Sequence, residues 1–483
     1  MQKMSNKTQK TITDFTIEHA KKRPVSFHMP GHKGRFRTFE KYGFRDFAES
    51  LINQDITEIR GADVLGSPSS VIMNVMENYR DLYEVKHTEL LINGSSVGIM
   101  AAILASVERG GSIIIDRQSH KSVYNALRLG RIKPIYAKTS EKSIREALVK
   151  SNDASAVLIT SPDYMGNMVN IRRIANDVHA LGKILIVDQA HGAHLKFFDN
   201  AFKTRTAAEN SGADIVVEST HKTLFSFTGT GILNICTERI DKRAIREMLN
   251  MLETTSPSYI LMDSLDINEK IMHQYGDEIV RSWRRNILNF YKKASDINGI
   301  RFNSNVDISG RNFQTDIDIT KIRIDMSAIG LSGEDLQSRL EDYGIYVEMS
   351  YGNEVLIYTG AGNTEDDFEE LYKALKQISN SWKKPDNSKS VRFISLDEKP
   401  EDIYCTEQAD IPDEYENVSI RYAEGRILYD PIIPFPPGRA IACPGEMVNR
   451  NLIMAIMKMM MDERTVFGVD DDGKIKVGIV KGK

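Results

Sequence analysis

Hydrophobic positions along this chain follow two rhythms that take turns. Val71, Val75, Tyr79 and Leu82 recur at helical spacing, whereas the next apolar run, LLI at 90–92, is short and unbroken as a buried strand is. The alternation then repeats. A helix is expected over 97–107, a strand at IIID (113–116), a helix around 122–129, a strand at AVLIT (156–160), a helix over 171–181, and strands at ILIVD (184–188), DIVVE (214–218) and GILNIC (231–236). Short, continuously apolar strands separated by helices imply a mainly parallel sheet covered on both faces, an α/β domain over 69–295. A charged helical run at 265–295 closes this block. Beyond it, the alternating DIDITKIRID (316–325) and VEMSYGNEVLIYTG (347–360) predict half-buried strands with helices on one side, a small α+β domain over 296–385. The polar KKPDNSKS (383–390) reads as a linker, and 386–483 as a C-terminal domain. The methionines of its NLIMAIMKMMMDE are expected to pack a core or a subunit contact. Residues 1–68 are left as an arm.

Composition adds bounds. A chain of 483 residues, 41% hydrophobic and 27% charged, is that of a folded soluble protein of two to four domains. A formal net charge of −4 gives no reason to expect nucleic acid or an acidic membrane as partner. The three cysteines, Cys236, Cys405 and Cys443, lie far apart and match no metal-ligand spacing, which suits a reducing cytoplasm. The N-terminus lacks the apolar core of a secretory signal, and the long apolar window at 90–107 is broken by Asn93-Gly94-Ser95-Ser96, so no membrane span is expected.

Three motifs carry chemistry. In LLINGSSVGIM a strand opens through Gly94, Ser95 and Ser96 into a helix, where free N–H groups and hydroxyls can cradle a phosphate; glycine and serine also serve there as plain turn and cap. In ILIVDQAHGAH, Asp188 ends a very apolar strand, and a buried carboxylate needs a cationic or hydrogen-bonding partner. A protonated pyridine nitrogen is one such partner, and capping the next turn is another use of the same side chain. Ala190 presents a methyl that suits a flat ring. In DIVVESTHKTL, Lys222 follows a strand end where ligands of open α/β sheets collect, and its amine can condense with an aldehyde. Ser219 and Thr220 add hydroxyls. Phosphate cradle, pyridinium partner and lysine together are what pyridoxal 5'-phosphate requires.

With FHMPGHKGR (27–35), DRQSHKSVYNALRLG (116–130), SPDYMGN (161–167), VDQAHGAH, STHKTL and PPGRAIACPGE, the chain resembles the ornithine/lysine/arginine decarboxylase family over nearly its whole length, in a short form without an N-terminal wing domain. The resemblance implies fold type I of the pyridoxal-phosphate enzymes, with a seven-stranded-type large-domain sheet, and decarboxylation of a basic amino acid to an amine of polyamine metabolism. Arginine is expected first, then lysine or ornithine. It makes Lys222 the cofactor lysine, Asp188 the partner of the ring nitrogen, and His120 and Ala190 the groups on the two ring faces. Ser95, Ser96 and Ser219 become phosphate ligands, and His221 a group near the substrate carboxylate or in proton transfer. Glu348 and Asp63 are candidates for the substrate's distal cation, although both also fit as solvated surface acids. The resemblance further implies a homodimer or higher homo-oligomer in which HMPGHKG completes a neighbouring subunit's site. Gln189 stands where glutamate is common, Gly229 where glutamine is, Asn234 where histidine is frequent, and Arg439 where an aliphatic residue is usual. These departures leave open another pyridoxal-phosphate reaction, such as transamination or oxidation, or a subunit that binds the cofactor without catalysis.

Overall fold

A computed structural model describes residues 12–302, 316–382, 411–435, 440–461 and 464–479. The linker expected at 383–390, Cys405, the boundary at 385/386 and Arg439 lie outside these residues. The chain begins with a helix, Ile12–Lys21, and a short strand β1 (Val25–Phe27). The large domain follows with β2 (His87–Leu91), β3 (Ser112–Asp116), β4 (Lys133–Ala137), β5 (Ala154–Thr160), β6 (Ile184–Asp188), β7 (Ile215–Glu218) and β8 (Gly231–Ile235). They form one seven-stranded sheet in the order β2-β8-β7-β6-β5-β3-β4. β3 to β7 run parallel, and β8 alone is antiparallel to its neighbours β7 and β2.

The apolar runs explain the two-sided cover. Ile113, Ile115, Leu158, Ile186 and Val217 face helices Ser95–Ser106, Lys121–Gly130 and Lys242–Leu252, while Ile114, Val157, Ile159, Leu185 and Val216 face helices Glu141–Lys150 and Ile171–Ala180. Sequence reading found six of these seven strands and missed β4 with the helix after it. Pro134 interrupts the β4 pattern, and such a proline is tolerated because β4 is the sheet edge. In helix Val71–Tyr83 the buried stripe is Ile72, Met76, Tyr79 and Tyr83, so the face read from Val71, Val75, Tyr79 and Leu82 is turned by about one residue.

The charged run at 265–295 belongs to a helix of 36 residues, Tyr259–Ala294, which packs against both domains. β9 (Arg301–Phe302), β10 (Lys321–Asp325), β12 (Met349–Tyr351) and β13 (Glu354–Tyr358) form an antiparallel sheet in the order β12-β13-β10-β9, while β11 (Ile345–Val347) pairs in parallel with β1. Here the expectation of half-buried strands holds for β12, where Met349 is buried and Ser350 and Tyr351 are half-buried, and is corrected for β10 and β13, in which every residue is buried. The polar positions of the alternating pattern are closed in by pairing: Arg323 Nε donates to Glu354 Oε2 at 2.8 Å, and Lys321 Nζ to Asp318 Oδ2 at 2.9 Å. The arm is likewise more than a linker, since Phe27, Phe39 and Phe47 join the main core.

The C-terminal domain holds β14 (Tyr415–Ser419) against β17 (Lys474–Gly478), β15 (Ile433–Phe435) against β16 (Thr465–Phe467), and helix Arg450–Met461. That helix packs its own domain through Leu452, Ile453 and Ile456, whereas Met454 and Met461 are exposed and so supply no core in this chain. A buried Arg117–Glu446 pair at 2.6 Å and the Tyr136 hydroxyl on the Pro444 carbonyl fasten this domain to the large one.

Candidate active site

The parallel strands end around one cavity of about 950 Å³. Asp188, the last residue of β6, is buried at its wall, and Lys222 projects from the turn Thr220–Thr223 directly after β7. The Asp188 carboxylate accepts a hydrogen bond from Ala190 N at 3.1 Å. Burial raises its pKa, and the Lys222 charge works against that rise. A carboxylate with so little protein support, open to a cavity, is set up to meet a cation there. Burial pushes the Lys222 amine down to about 8, against the upward pull of Asp188 and Glu348.

At one end of the cavity, Gly94 (φ +80°) turns β2 into helix Ser95–Ser106. Ser95 and Ser96 occupy the first turn, where N–H groups are free, and the Ser219 hydroxyl donates to Ser95 Oγ at 2.7 Å. Gly94 N is held on the Gly229 carbonyl at 2.7 Å, and Gly229 has φ +95°, so glycine at this departure position suits the cradle's backbone. His120 caps helix Lys121–Gly130: its Nδ1 accepts from Ser122 N, which leaves the proton on Nε2. The surrounding protein and the Lys222 charge lower its pKa to about 4, so the ring is neutral near pH 7. His221 is also neutral, lowered to about 4 by burial, and its Nδ1 donates to the Thr230 carbonyl at 2.5 Å. Gly94, Ser95, Ser96, His120, Asp188, Ala190, Ser219, His221, Lys222 and Glu348 all line the same cavity.

Glu348 therefore lies at the cavity wall and is not a solvated surface acid. Its Oε1 accepts from the Tyr164 hydroxyl at 2.5 Å and its Oε2 from Met29 N at 3.1 Å. Asp63 does not line this cavity. Its carboxylate takes the N–H groups of Val64, Ser69, Ser70 and Ile72, which fixes the start of helix Val71–Tyr83. Burial opposes its ionisation, yet those N–H groups hold it at about 2. The HMPGHKG segment packs on its own chain's site. Met29 lines the cavity, and Gly31 N donates to the His221 carbonyl at 2.8 Å, against a backbone that leaves no room for a Cβ.

Sequence reasoning missed His191 and the residues behind it. Lys222 Nζ donates to His191 Nε2 at 3.1 Å, and His191 Nδ1 meets the Tyr358 hydroxyl at 3.2 Å. Because that hydroxyl donates to the Tyr164 carbonyl, it accepts from His191, which sets the imidazole tautomer. His191 directly follows a singled-out alanine, in a motif already quoted, so the signal was present and unread. Tyr358 comes from β13, which no local pattern joins to β6. Of the departures, Gln189 and Asn234 are absent from the cavity wall and meet each other's partners in one buried network around Glu209.

Profiles of the Orn/Lys/Arg decarboxylase major domain and C-terminal domain match residues 11–315 and 393–468. The chain is 28% identical over 478 residues to an arginine decarboxylase of Bacillus subtilis (strain 168), covering 96% of each protein. It is 30% identical over 484 residues to YaaO, an uncharacterized protein of the same organism, covering 94% of each. The solved lysine decarboxylase LdcF of Francisella novicida superposes with a TM-score of 0.74 at 18% identity, over 91% of this chain and 75% of that one. That likeness bears out the fold type I architecture. Among the described residues no helix is long and apolar enough to cross a membrane.

Proposed function

The chain belongs to the Orn/Lys/Arg decarboxylase family, and from that membership we propose that it removes the α-carboxyl group of a basic amino acid with pyridoxal 5'-phosphate as cofactor. Arginine is the first substrate, with lysine and ornithine next; the arginine decarboxylase that aligns over 96% of both proteins supports that order. One observation carries the reading: a buried carboxylate, a lysine amine brought down to about 8 and a serine-lined helix start face one cavity.

These residues fit the cofactor. Ser95, Ser96, Ser219 and the amides at the helix start would hold its phosphate, Asp188 its ring nitrogen, His120 and Ala190 its two faces, and Lys222 its aldehyde carbon. When bound, the cofactor supplies an electron sink for the charge left at Cα after carbon dioxide departs. The remaining work is the protein's. Asp188 keeps a positive charge opposite its carboxylate, and the low dielectric around it strengthens that pairing. His120 contributes a neutral flat face. Lys222 has an acceptor in His191 Nε2, and its amine, when protonated, would be a candidate to return a proton to Cα. His221 is the other candidate for that proton. Glu348, pinned between Tyr164 and Met29 N, offers a negative charge to the substrate's distal cation.

Gln189, Gly229 and Asn234 are absent from the cavity wall, which favours decarboxylation over the alternatives those positions raise. The active unit is a homodimer or larger. Ile52, Ile59, Val64 and Val71 in and after the arm are exposed apolar side chains that a second copy would cover. The test is carbon dioxide release by purified protein with pyridoxal 5'-phosphate, against arginine, lysine and ornithine in parallel. Release from arginine that disappears in Lys222→Ala is expected; release that survives Lys222→Ala would overturn the proposed role of this lysine.

A further inference from the structure

Behind the cavity, on the far side of Asp188, two carboxylates are bridged by one carboxamide. Gln189 Nε2 donates to Glu218 Oε1 at 2.6 Å and to Glu209 Oε2 at 3.0 Å, while its Oε1 accepts from Ala208 N at 2.9 Å. Asn234 Nδ2 donates to the other oxygen of Glu209 at 3.2 Å, and Asn234 is itself held by the Thr88 hydroxyl at 2.7 Å. Glu218 is fully buried, and its Oε2 has no hydrogen-bond partner. Among the described residues neither acid forms an ion pair. The titratable groups that face Glu218 are Glu209 from the segment before β7, Tyr83 and Tyr79 from helix Val71–Tyr83, and Cys236 just past β8; Asp214 and Lys196 stand beyond Cys236. Two negative charges sharing one NH2 group in such a place repel each other strongly. Glu209 is half-buried and accepts from two carboxamides, so the charge belongs on Glu209.

We propose that Glu218 is a neutral carboxylic acid in the working protein while Glu209 keeps its charge, and that this singly charged pair, joined through the Gln189 carboxamide, is a positioning device for the ends of β6 and β7. The connections are direct. Gln189 follows Asp188 in the chain and its backbone N–H is held by the Val217 carbonyl at 2.9 Å, while Glu218 precedes Ser219 and the Lys222 turn. Burial, with the Glu209 charge added, raises the Glu218 pKa well above its ordinary value. Losing the proton would put two charges against a single carboxamide and push the two strand ends apart.

The inference leans on the proposed function only for its catalytic consequence; its test needs no turnover. Glu218→Gln places a carboxamide where the neutral acid stands, so this variant is expected to fold. An acid whose pKa is raised on folding stabilises fully below its unfolded value and loses that contribution as pH rises toward the folded one. The urea midpoint of wild type should therefore fall behind that of Glu218→Gln progressively as pH rises above about 5, the unfolded carboxyl range. In parallel, the infrared difference between wild-type and Glu218→Gln apoprotein at neutral pH should contain the C=O stretch of a protonated carboxylic acid that the variant has lost. A stability gap that stays flat with pH, a difference spectrum without that band, or a Glu218→Gln protein that does not fold would each overturn the proposal.

Discussion

Lys222 must shed a proton before its amine can attack a carbonyl, and burial brings that loss down to about 8. Capture of pyridoxal 5'-phosphate by the apoprotein is accordingly expected to speed up with pH through about 8 and then level off, as followed by the change in cofactor absorbance. Pre-existing neutrality of His120 and His221, both lowered to about 4, adds no second step near neutral pH. Glu348 makes a different kind of prediction, because it bears on substrate and not on cofactor. Glu348→Gln can still accept from Met29 N through its carbonyl and donate its NH2 to the Tyr164 hydroxyl oxygen, but it removes the charge, so KM for the basic amino acid should rise by about tenfold or more with cofactor affinity unchanged. An unchanged KM would place the distal cation elsewhere. At this scale the sequence was legible where chemistry and a strand end coincide: Asp188, Lys222, Ser95 and Ser219 were all named from local pattern. His191 was passed over inside a quoted motif, and Tyr358 was not named, since a hydrogen bond across 167 positions leaves no local trace.

Elements were read well where burial is two-sided and the code is therefore simple. Six strands of the large sheet are runs of Ile, Val and Leu, but β4 carries Pro134 and lies at the edge, where fewer neighbours constrain the sequence. The small-domain strands β10 and β13 misled for the opposite reason. Their polar positions look solvent-facing, yet Arg323 and Glu354 satisfy each other inside, so alternation marks a paired interior face. Asp63 shows how an acid's role depends on the element beside it. Serving helix Val71–Tyr83, it should be replaceable without harm to substrate binding: Asp63→Ala is expected to cost about 1 kcal/mol in stability while leaving KM unaltered. Denaturant unfolding alongside steady-state kinetics checks both halves, and a raised KM at intact stability would return Asp63 to the substrate site.

Taken whole, the molecule leaves apolar side chains on the outside where its arm meets the large domain. Ile52 is 91% exposed, and Ile59, Val64 and Val71 are exposed near it in sequence. Light scattering should therefore find at least a dimer for wild type, and Ile52→Glu should shift the population toward monomer at equal concentration; a monomeric wild type would refute the assembly. The arm also has a temporal consequence. Val25 pairs in parallel with Ile345, so this strand of the arm has no strand partner until the small domain has been made, whereas Gly31 packs against the turn that carries Lys222. The large sheet, whose strands all lie between residues 87 and 235, can close beforehand. A chain caught in mid-synthesis would thus own its large sheet and Lys222 while Glu348 and Tyr358 were still to come, and competence for the reaction would wait for β11 to β13.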